Sequence, residues 1–369
     1  MKKKDIIYIT PALPIGGAEK FMLALSKSLI PFAGKQSIVN LSSVDVLVKE
    51  IDPAVAYVPL GRQSKYDIKP LKAFRKKVKE EKPDVLFCIN FFTYFFVRIA
   101  LLGMRRQPRV IISYHSTKQL TSKERKLHRL YTAILRKKDL IVCVSNNQKK
   151  FTQEKYNIKD SQIMTILNSV DTNLWAAPSG DQTKKEMREK LGIPYDAKVL
   201  ILSAAFRPEK NHVGAIEALQ ILHQKYKQEV YLLCVGDGVM RPEIEAKMRE
   251  LNLEKYVKLA GAQTYLIPYL HAADYFTLCS NAVETFSIAA LEAMSTGLPL
   301  LMTNIGGANE MVNEPLNGLL MPTTSEGMAG YWNKALGIDF NRTAIRKYAI
   351  ENFRIEKMTA EYLKVLQRD

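Results

Sequence analysis

The sequence predicts an α/β protein built as two doubly wound, parallel-sheet domains. Three observations carry this. Short, fully apolar runs alternate with amphipathic stretches along the whole chain. The alternation restarts after residue 170. The length, 369 residues, suits two domains of ordinary size. Strands that are apolar at every position belong to sheets covered by helices on both faces, and those are parallel sheets.

In chain order, Ile6–Thr10 reads as the first strand. Gly16 and Gly17 then open a helix whose Phe21, Leu25 and Leu29 share one face. Val85–Ile89, Val110–Ser113 and Leu140–Val144 read as further buried strands. The polar stretch Asn168–Gly180, with Pro178 and Gly180, reads as a linker. Beyond it, Val199–Ala204 is a strand, Val213–Tyr226 a helix, Val230–Val235 a strand and Arg241–Asn252 a helix. Tyr256–Leu259 and Tyr275–Cys279 follow as strands, then Phe286–Ser295 as a helix. Leu298–Thr303 and Gly318–Met321 close the series as strands. Ligands of such sheets bind beyond the carboxyl ends of the strands, and two such domains place a site in a cleft between them.

The composition, 47% hydrophobic and 25% charged, excludes disordered, collagen-like and disulfide-scaffold classes. Cys88, Cys143, Cys234 and Cys279 lie too far apart for a zinc motif and fall in apolar runs, which points to buried thiols in a reducing cytosol. Lys2, Lys3 and Lys4 precede an apolar run that is short and broken by Pro11 and Pro14, unlike a signal peptide. The most membrane-like stretch, Val85–Met104, is interrupted by Asn90, Thr93 and Arg98, and a strand followed by a helix explains it better.

Charge is divided unequally. Residues 1–170 hold 32 Lys+Arg against 13 Asp+Glu, while residues 171–369 hold 22 against 24. A basic half seeks phosphate, whether on nucleic acid, lipid headgroups or substrate.

The segment richest in chemistry runs from Ser280 to Met294. Glu284 stands at a helix start and Glu292 two turns along it, among Ala289, Ala290, Leu291, Ala293 and Met294. The first-turn amides, near Phe286, Ser287 and Ile288, lack intrahelical partners and form an anion site. Carboxylates beside such a site suit a ligand bearing both phosphate and hydroxyl groups. Helix-dipole pairing is the plain alternative for Glu284. For Glu292 it is weaker, because a carboxylate among apolar residues needs a partner.

Glu284-x7-Glu292, followed by Ala-Met-x-x-Gly-x-Pro and by Gly306-Gly307-x-x-Glu310, resembles the nucleotide-sugar domain of family 4 retaining glycosyltransferases of the GT-B fold. Pro14-Ile-Gly-Gly-Ala-Glu19 is similar to that family's N-terminal glycine loop. Asn168-Ser-Val-Asp171 is similar to its interdomain Asn-Gly-Val-Asp, Pro208-Glu-Lys210-Asn to its lysine loop, and Gly236-Asp-Gly238 to its Gly-Asp-Gly turn. The resemblance implies two Rossmann-like domains facing each other across a cleft. Residues 1–170 form the acceptor-side domain, residues 171–353 bind the nucleotide sugar, and the helix at 354–369 crosses back to the first domain. It also implies sugar transfer from a nucleoside diphosphate sugar with retained configuration, and no cofactor.

By the same resemblance Glu292 holds the ribose hydroxyls and Glu284 lies beside the donor sugar. Phe286, Ser287 and Ile288 offer backbone amides, and Lys210 holds the diphosphate. Gly16 and Gly17 let backbone approach phosphate or sugar, and His115 lies near the donor sugar. Two departures stand out. Thr285 and Ser287 replace family glycines, and the usual loop arginine is Ala205, with Arg207 as the substitute. Gly236 is either a ligand contact or a plain strand-to-helix turn. No Asp-x-Asp occurs, so the leaving diphosphate is expected to rely on Lys210, Arg207 and helix dipoles instead of a metal.

Three basic runs, Lys72–Lys82, Arg105–Arg109 and Lys123–Lys138, surround Phe91, Phe92, Tyr94, Phe95 and Phe96. Five aromatics in six residues exceed the need of one buried helix face. The reading is peripheral attachment to an anionic membrane surface from the cytoplasm, with a glycan or lipid-linked acceptor. No nucleic-acid motif is present. The alternatives are a nucleotide-sugar epimerase or phosphorylase of the same fold, and a non-catalytic nucleic-acid- or glycan-binding protein.

Overall fold

The computed structural model describes residues 3–64, 67–115 and 122–367. The chain divides into two compact units: residues up to 169 together with those from 355 on, and residues 170–354.

Unit 1 begins β1 (Ile6–Thr10), α1 (Gly17–Ser28), β2 (Gln36–Asn40), β3 (Ala56–Pro59), α2 (Lys69–Glu81), β4 (Val85–Cys88) and α3 (Phe91–Ala100). It continues with β5 (Arg109–Tyr114), α4 (Ser122–Ala133), β6 (Leu140–Cys143), α5 (Asn146–Tyr156) and β7 (Ile163–Thr165). All neighbouring strands pair in parallel, in the order β3-β2-β1-β4-β5-β6-β7. The central strands β1, β4 and β6 are buried at every residue, which is why each reads as an unbroken apolar run. Edge strand β3 is half-buried to exposed and has no such run to betray it.

Unit 2 comprises α6 (Gln182–Leu191), β8 (Lys198–Ser203), α7 (His212–Tyr226), β9 (Val230–Val235), α8 (Arg241–Glu250), β10 (Val257–Leu259) and α9 (Ile267–Ala272). Then come β11 (Tyr275–Leu278), α10 (Ile288–Ser295), β12 (Leu300–Thr303), β13 (Gly318–Met321), α11 (Ser325–Leu336) and α12 (Arg342–Phe353). Its parallel sheet runs β10-β9-β8-β11-β12-β13. Both sheets share one strand order, the doubly wound one, with a reversal between the first and fourth strands. Where the chain enters unit 2, the Val170 amide donates to Phe353 O at 3.0 Å, beside the point where it leaves.

The last helix, α13 (Ile355–Gln367), belongs to unit 1. Thr359 Oγ1 donates to Ser28 Oγ of α1 at 2.8 Å, and Tyr362 packs on Phe21 and Phe87. All four cysteines are buried free thiols. Among the described residues no helix is long and apolar enough to cross a membrane.

The aromatic cluster of α3 corrects one expectation. None of its five rings is exposed: Phe91, Tyr94 and Phe96 are buried, and Phe92 and Phe95 half-buried. The helix packs on β4 and β5 and has α2 and α4 on its flanks. Phe95 lies on Tyr131 of α4 at 5.1 Å, and the Arg62 guanidinium covers Phe92. A helix hemmed in on three sides consumes more apolar surface than the one face assumed from sequence. The rings therefore pack in or against the core of unit 1.

Candidate active site

In a doubly wound sheet the loops at the strand-order reversal splay apart and leave room for a ligand. In unit 2 that reversal lies between β8 and β11. The loop after β8 carries Arg207 and Lys210, and the loop after β11 carries Glu284. Lys210 Nζ and Glu284 Oε2 are 2.7 Å apart, although 74 residues separate them in sequence. The two side chains are 22% and 8% exposed, so the pair is largely withdrawn from water. Such a charge-assisted bond is short and directional, and it fixes the ammonium.

Residues without a sequence signature complete this arrangement. Ser280 Oγ donates to Glu284 Oε2 at 3.2 Å, and the Thr285 amide reaches Oε1 at 3.3 Å. The Asn281 amide donates to Glu209 O at 3.0 Å, which ties the two loops together by backbone. A serine four residues before a carboxylate is too common to signal this role.

Three glycines bring further loops against the two loops that carry the pair. Gly306, after β12, has φ +59, and a Cβ there would stand 1.7 Å from Glu284 O. Gly236 and Gly238, after β9, have φ +153 and +155, and Cβ atoms would stand 2.0 Å from Ala204 O and 2.6 Å from Phe206 O. The Phe206 amide donates to Asp237 O at 2.9 Å. Close backbone packing thus accounts for the glycines of the Gly-Asp-Gly turn, which packs against Ala204 and Phe206 at the start of the lysine loop. His212 lies buried with its ring 4.6 Å from Phe206, and burial lowers its pKa to about 4.

α10 begins at Ile288, two residues later than expected, because Ser287 caps it through Oγ to the Ala290 amide at 3.2 Å. The amides of Ile288 and Ala289 open the helix, while Phe286 stays in the loop with its ring 5.7 Å from Phe353. Glu292 lies inside α10 and is 2% exposed. Arg207 is exposed at the start of the short 3₁₀ turn Pro208–Lys210.

In unit 1, Gly16 is the N-cap of α1 in extended backbone, and Gly17 is the first residue of α1. A Cβ at Gly16 would stand 2.3 Å from Glu19 Oε2. His115, partly exposed, follows β5 at the same carboxyl edge of the sheet. Its ring lies 4.6 Å from that of Phe21, and Nε2 is 2.9 Å from Ser113 Oγ. Burial lowers its pKa to about 3. The ring is neutral in ordinary buffers, and it can exchange a hydrogen bond but brings no positive charge. Among the described residues no group of three or more His, Cys, Asp or Glu could hold a metal ion.

Two family profiles tile the chain. Residues 15–174 match Glycosyltransferase Family 4, and residues 183–352 match Glycosyl transferases group 1. The chain is 27% identical over 264 residues to an Escherichia coli enzyme named UDP-Gal:alpha-D-GlcNAc-diphosphoundecaprenol alpha-1,3-galactosyltransferase. That match covers 69% of this chain and 66% of the relative. It is 24% identical to the N-acetyl-alpha-D-glucosaminyl L-malate synthase of Bacillus anthracis, over 80% of this chain and 78% of that one. Among solved structures, Anabaena HepE in complex with UDP and glucose superposes with a TM-score of 0.84 at 19% identity, covering 99% of this chain and 100% of HepE. A Rickettsia africae glycosyltransferase gives 0.82 at 22% identity, covering 100% and 98%. With one profile on each unit and two doubly wound sheets beneath them, the chain belongs to glycosyltransferase family 4 and has the GT-B fold.

Proposed function

We propose that the protein is a retaining glycosyltransferase. It moves a sugar from a nucleoside diphosphate sugar to a glycan or lipid-linked acceptor of the cell surface, without a divalent metal. The observation that carries this reading is the Lys210–Glu284 pair at the strand-order reversal of unit 2. Glu284 holds the Lys210 ammonium in place before the donor arrives. The donor diphosphate takes the amino end of α10 and the backbone amides of the loop before it, and Glu292 takes the ribose hydroxyls.

As the bond between the anomeric carbon and the diphosphate oxygen breaks, negative charge collects on the departing phosphate. Lys210, with Arg207 at the same loop, stabilises that charge. A departing phosphate oxygen takes the proton of the acceptor hydroxyl. The new bond forms on the face the phosphate leaves, so the configuration is kept. Glu284 positions the sugar, and neutral His115 hydrogen-bonds a sugar hydroxyl. Two further facts support the acceptor and a cytoplasmic membrane surface as the place of work. One is the basic character of unit 1. The other is the diphosphoundecaprenol-linked substrate in the name of the Escherichia coli relative.

The test is incubation with a panel of nucleotide sugars, with product anomers read by NMR. Slow release of free sugar with the donor's own configuration is expected, and it should survive EDTA. Interconversion to another sugar nucleotide would make the protein an epimerase. Inverted product, or activity lost in EDTA and restored by magnesium or manganese, would overturn the mechanism. No binding of any nucleotide sugar would overturn the reading altogether.

A further inference from the structure

At the amino ends of β4 and β5, a cleft of about 450 Å³ opens between α2 and the loop joining α3 to β5. Its volume is in the range of small-ligand pockets. Every charged residue lining it is a cation: Arg75, Lys79, Lys82, Arg105 and Arg106. They come from two segments of unit 1 that the fold brings side by side.

The fold itself uses one of these charges. Arg75 is used: Nη1 donates to Ala100 O at 2.9 Å and Leu102 O at 2.5 Å, closing the end of α3. The other four are not. Among the described residues, none of Lys79, Lys82, Arg105 and Arg106 pairs with a carboxylate. The nearby acids of α2 are taken, Glu80 by Lys76 at 3.8 Å and Glu81 by Lys77 at 2.5 Å. The carboxyl ends of α2 and α3 point here, each worth about half a negative charge. That leaves roughly three positive charges uncompensated in one cleft. Gathering them costs free energy unless an anion joins them.

The rim supplies a second observation. Leu102, next to the lining residue Gly103, is 63% exposed, and Ile99 in the last turn of α3 is 37% exposed. Cations around a cleft with large apolar side chains beside it match a headgroup at a bilayer surface: phosphate for the cleft, acyl boundary for the leucine and isoleucine. A phosphate dissolved in water would have no use for the apolar rim.

The site is not the donor site. Gly16, Gly17 and His115 lie at the carboxyl edge of the same sheet, about one strand length away, or roughly 15–20 Å at 3.3 Å per residue. We propose that this cleft is a phosphate-binding site at which unit 1 takes the headgroup of an anionic phospholipid. This rests on the reading of the protein as a peripheral membrane enzyme and gives that attachment a defined seat. It also accounts for Arg109 differently from its neighbours. Its guanidinium donates to Val365 O at 2.8 Å and is committed to holding α13.

The test is sedimentation with vesicles of phosphatidylcholine alone or mixed with phosphatidylglycerol. Three proteins are compared: wild type, the cleft variant Lys79→Gln/Lys82→Gln/Arg105→Gln/Arg106→Gln, and a control, Lys35→Gln/Lys49→Gln/Lys150→Gln/Lys159→Gln. The control removes the same charge from exposed positions of unit 1. Wild type and control should bind mixed vesicles, with the cleft variant at least tenfold weaker and its donor hydrolysis unchanged. Inorganic phosphate should release wild type more effectively than chloride at equal ionic strength. Equal losses in both variants, or equal release by the two salts, would reduce the effect to general charge and overturn the site while leaving membrane attachment intact. No binding of wild type to mixed vesicles would overturn both. If calorimetry then showed inorganic phosphate bound by wild type and not by the cleft variant, the ligand would be a soluble phosphate and the lipid assignment would fall.

Discussion

The two units share one strand order and differ in almost everything laid over it. Unit 1 carries 35 Lys+Arg against 16 Asp+Glu, and unit 2 carries 19 against 21. In unit 2 the charges at the strand-order reversal are paired internally, Lys210 with Glu284, and three glycines pack loops around them. In unit 1 the corresponding carboxyl edge is uncharged at its histidine, and a cluster of unpaired cations lies at the opposite edge. The comparison teaches that the doubly wound sheet fixes where loops emerge but not what they do. One copy pairs its charges within tightly packed loops, and the other exposes charge that the fold does not neutralise.

The largest expected effect lies in unit 2. Lys210→Ala should lower turnover by about 100- to 1,000-fold, the usual result of deleting a donor that stabilises developing charge. Initial rates of donor hydrolysis check this, with the melting temperature read in parallel. Activity within a few-fold of wild type would mean that the pair is structural and that the contrast between the two carboxyl edges has no chemical content.

Gly306→Ala comes next. Its Cβ would meet Glu284 O at 1.7 Å with φ at +59. A cost of about 3 kcal/mol is expected, together with reduced activity because Glu284 must move. Gly61 in unit 1 has nearly the same φ, +60, with nothing within 4 Å of its Cβ. Gly61→Ala should therefore cost only the backbone strain, roughly 1–2 kcal/mol. Chemical denaturation measures both, and equal costs would mean the loop after β12 yields without disturbing the site.

Glu292→Gln should weaken nucleoside diphosphate binding by about 1.5–3 kcal/mol, the worth of hydrogen bonds to a charged group. Isothermal titration calorimetry reads this directly, and unchanged affinity in a folded variant would remove Glu292 from the site.

The smallest effect separates the units by pH. Burial lowers His115 to about 3 and, with the added charge of Lys155, His128 to about 4, both in unit 1. In unit 2, His212 is lowered to about 4, and His271 is lowered by burial. An unfolded histidine takes a proton near pH 6.5, whereas these stay neutral when folded. Stability is therefore full above pH 6.5 and falls as pH drops toward 4, by at most about 1.4 kcal/mol per pH unit for each histidine. Hydrogen exchange resolved by peptide should show both units losing protection below pH 6.5. His128→Phe should flatten the slope in unit 1 alone. A slope unchanged by that substitution would show that His128 titrates normally.

Hydrophobic patterning by itself determined the central strands, since a strand buried on both faces must be apolar at each residue. β1, β4, β6, β8, β9, β11 and β12 are all legible that way. It also displayed Glu284, Glu292 and Lys210, because carboxylates near an apolar helix and a lysine in a Pro-Glu-Lys-Asn loop stand out locally. Strands β2, β3 and β7 escaped, being short or mixed in polarity, and so did the start of α10, which hinges on one serine side chain.

Tertiary structure alone decided which of these residues meet. The 2.7 Å contact between Lys210 and Glu284 exists because β8 and β11 are neighbours in the sheet, and nothing within either segment encodes that adjacency. The aromatics of α3 went to the core because three other elements surround that helix. Arg75, Lys79, Lys82, Arg105 and Arg106 share one cleft because the end of α2 and the loop before β5 meet at the same edge of a parallel sheet. Local sequence sets what each segment can bury. Long-range closure of the sheet sets what it touches, and chemistry depends on the second.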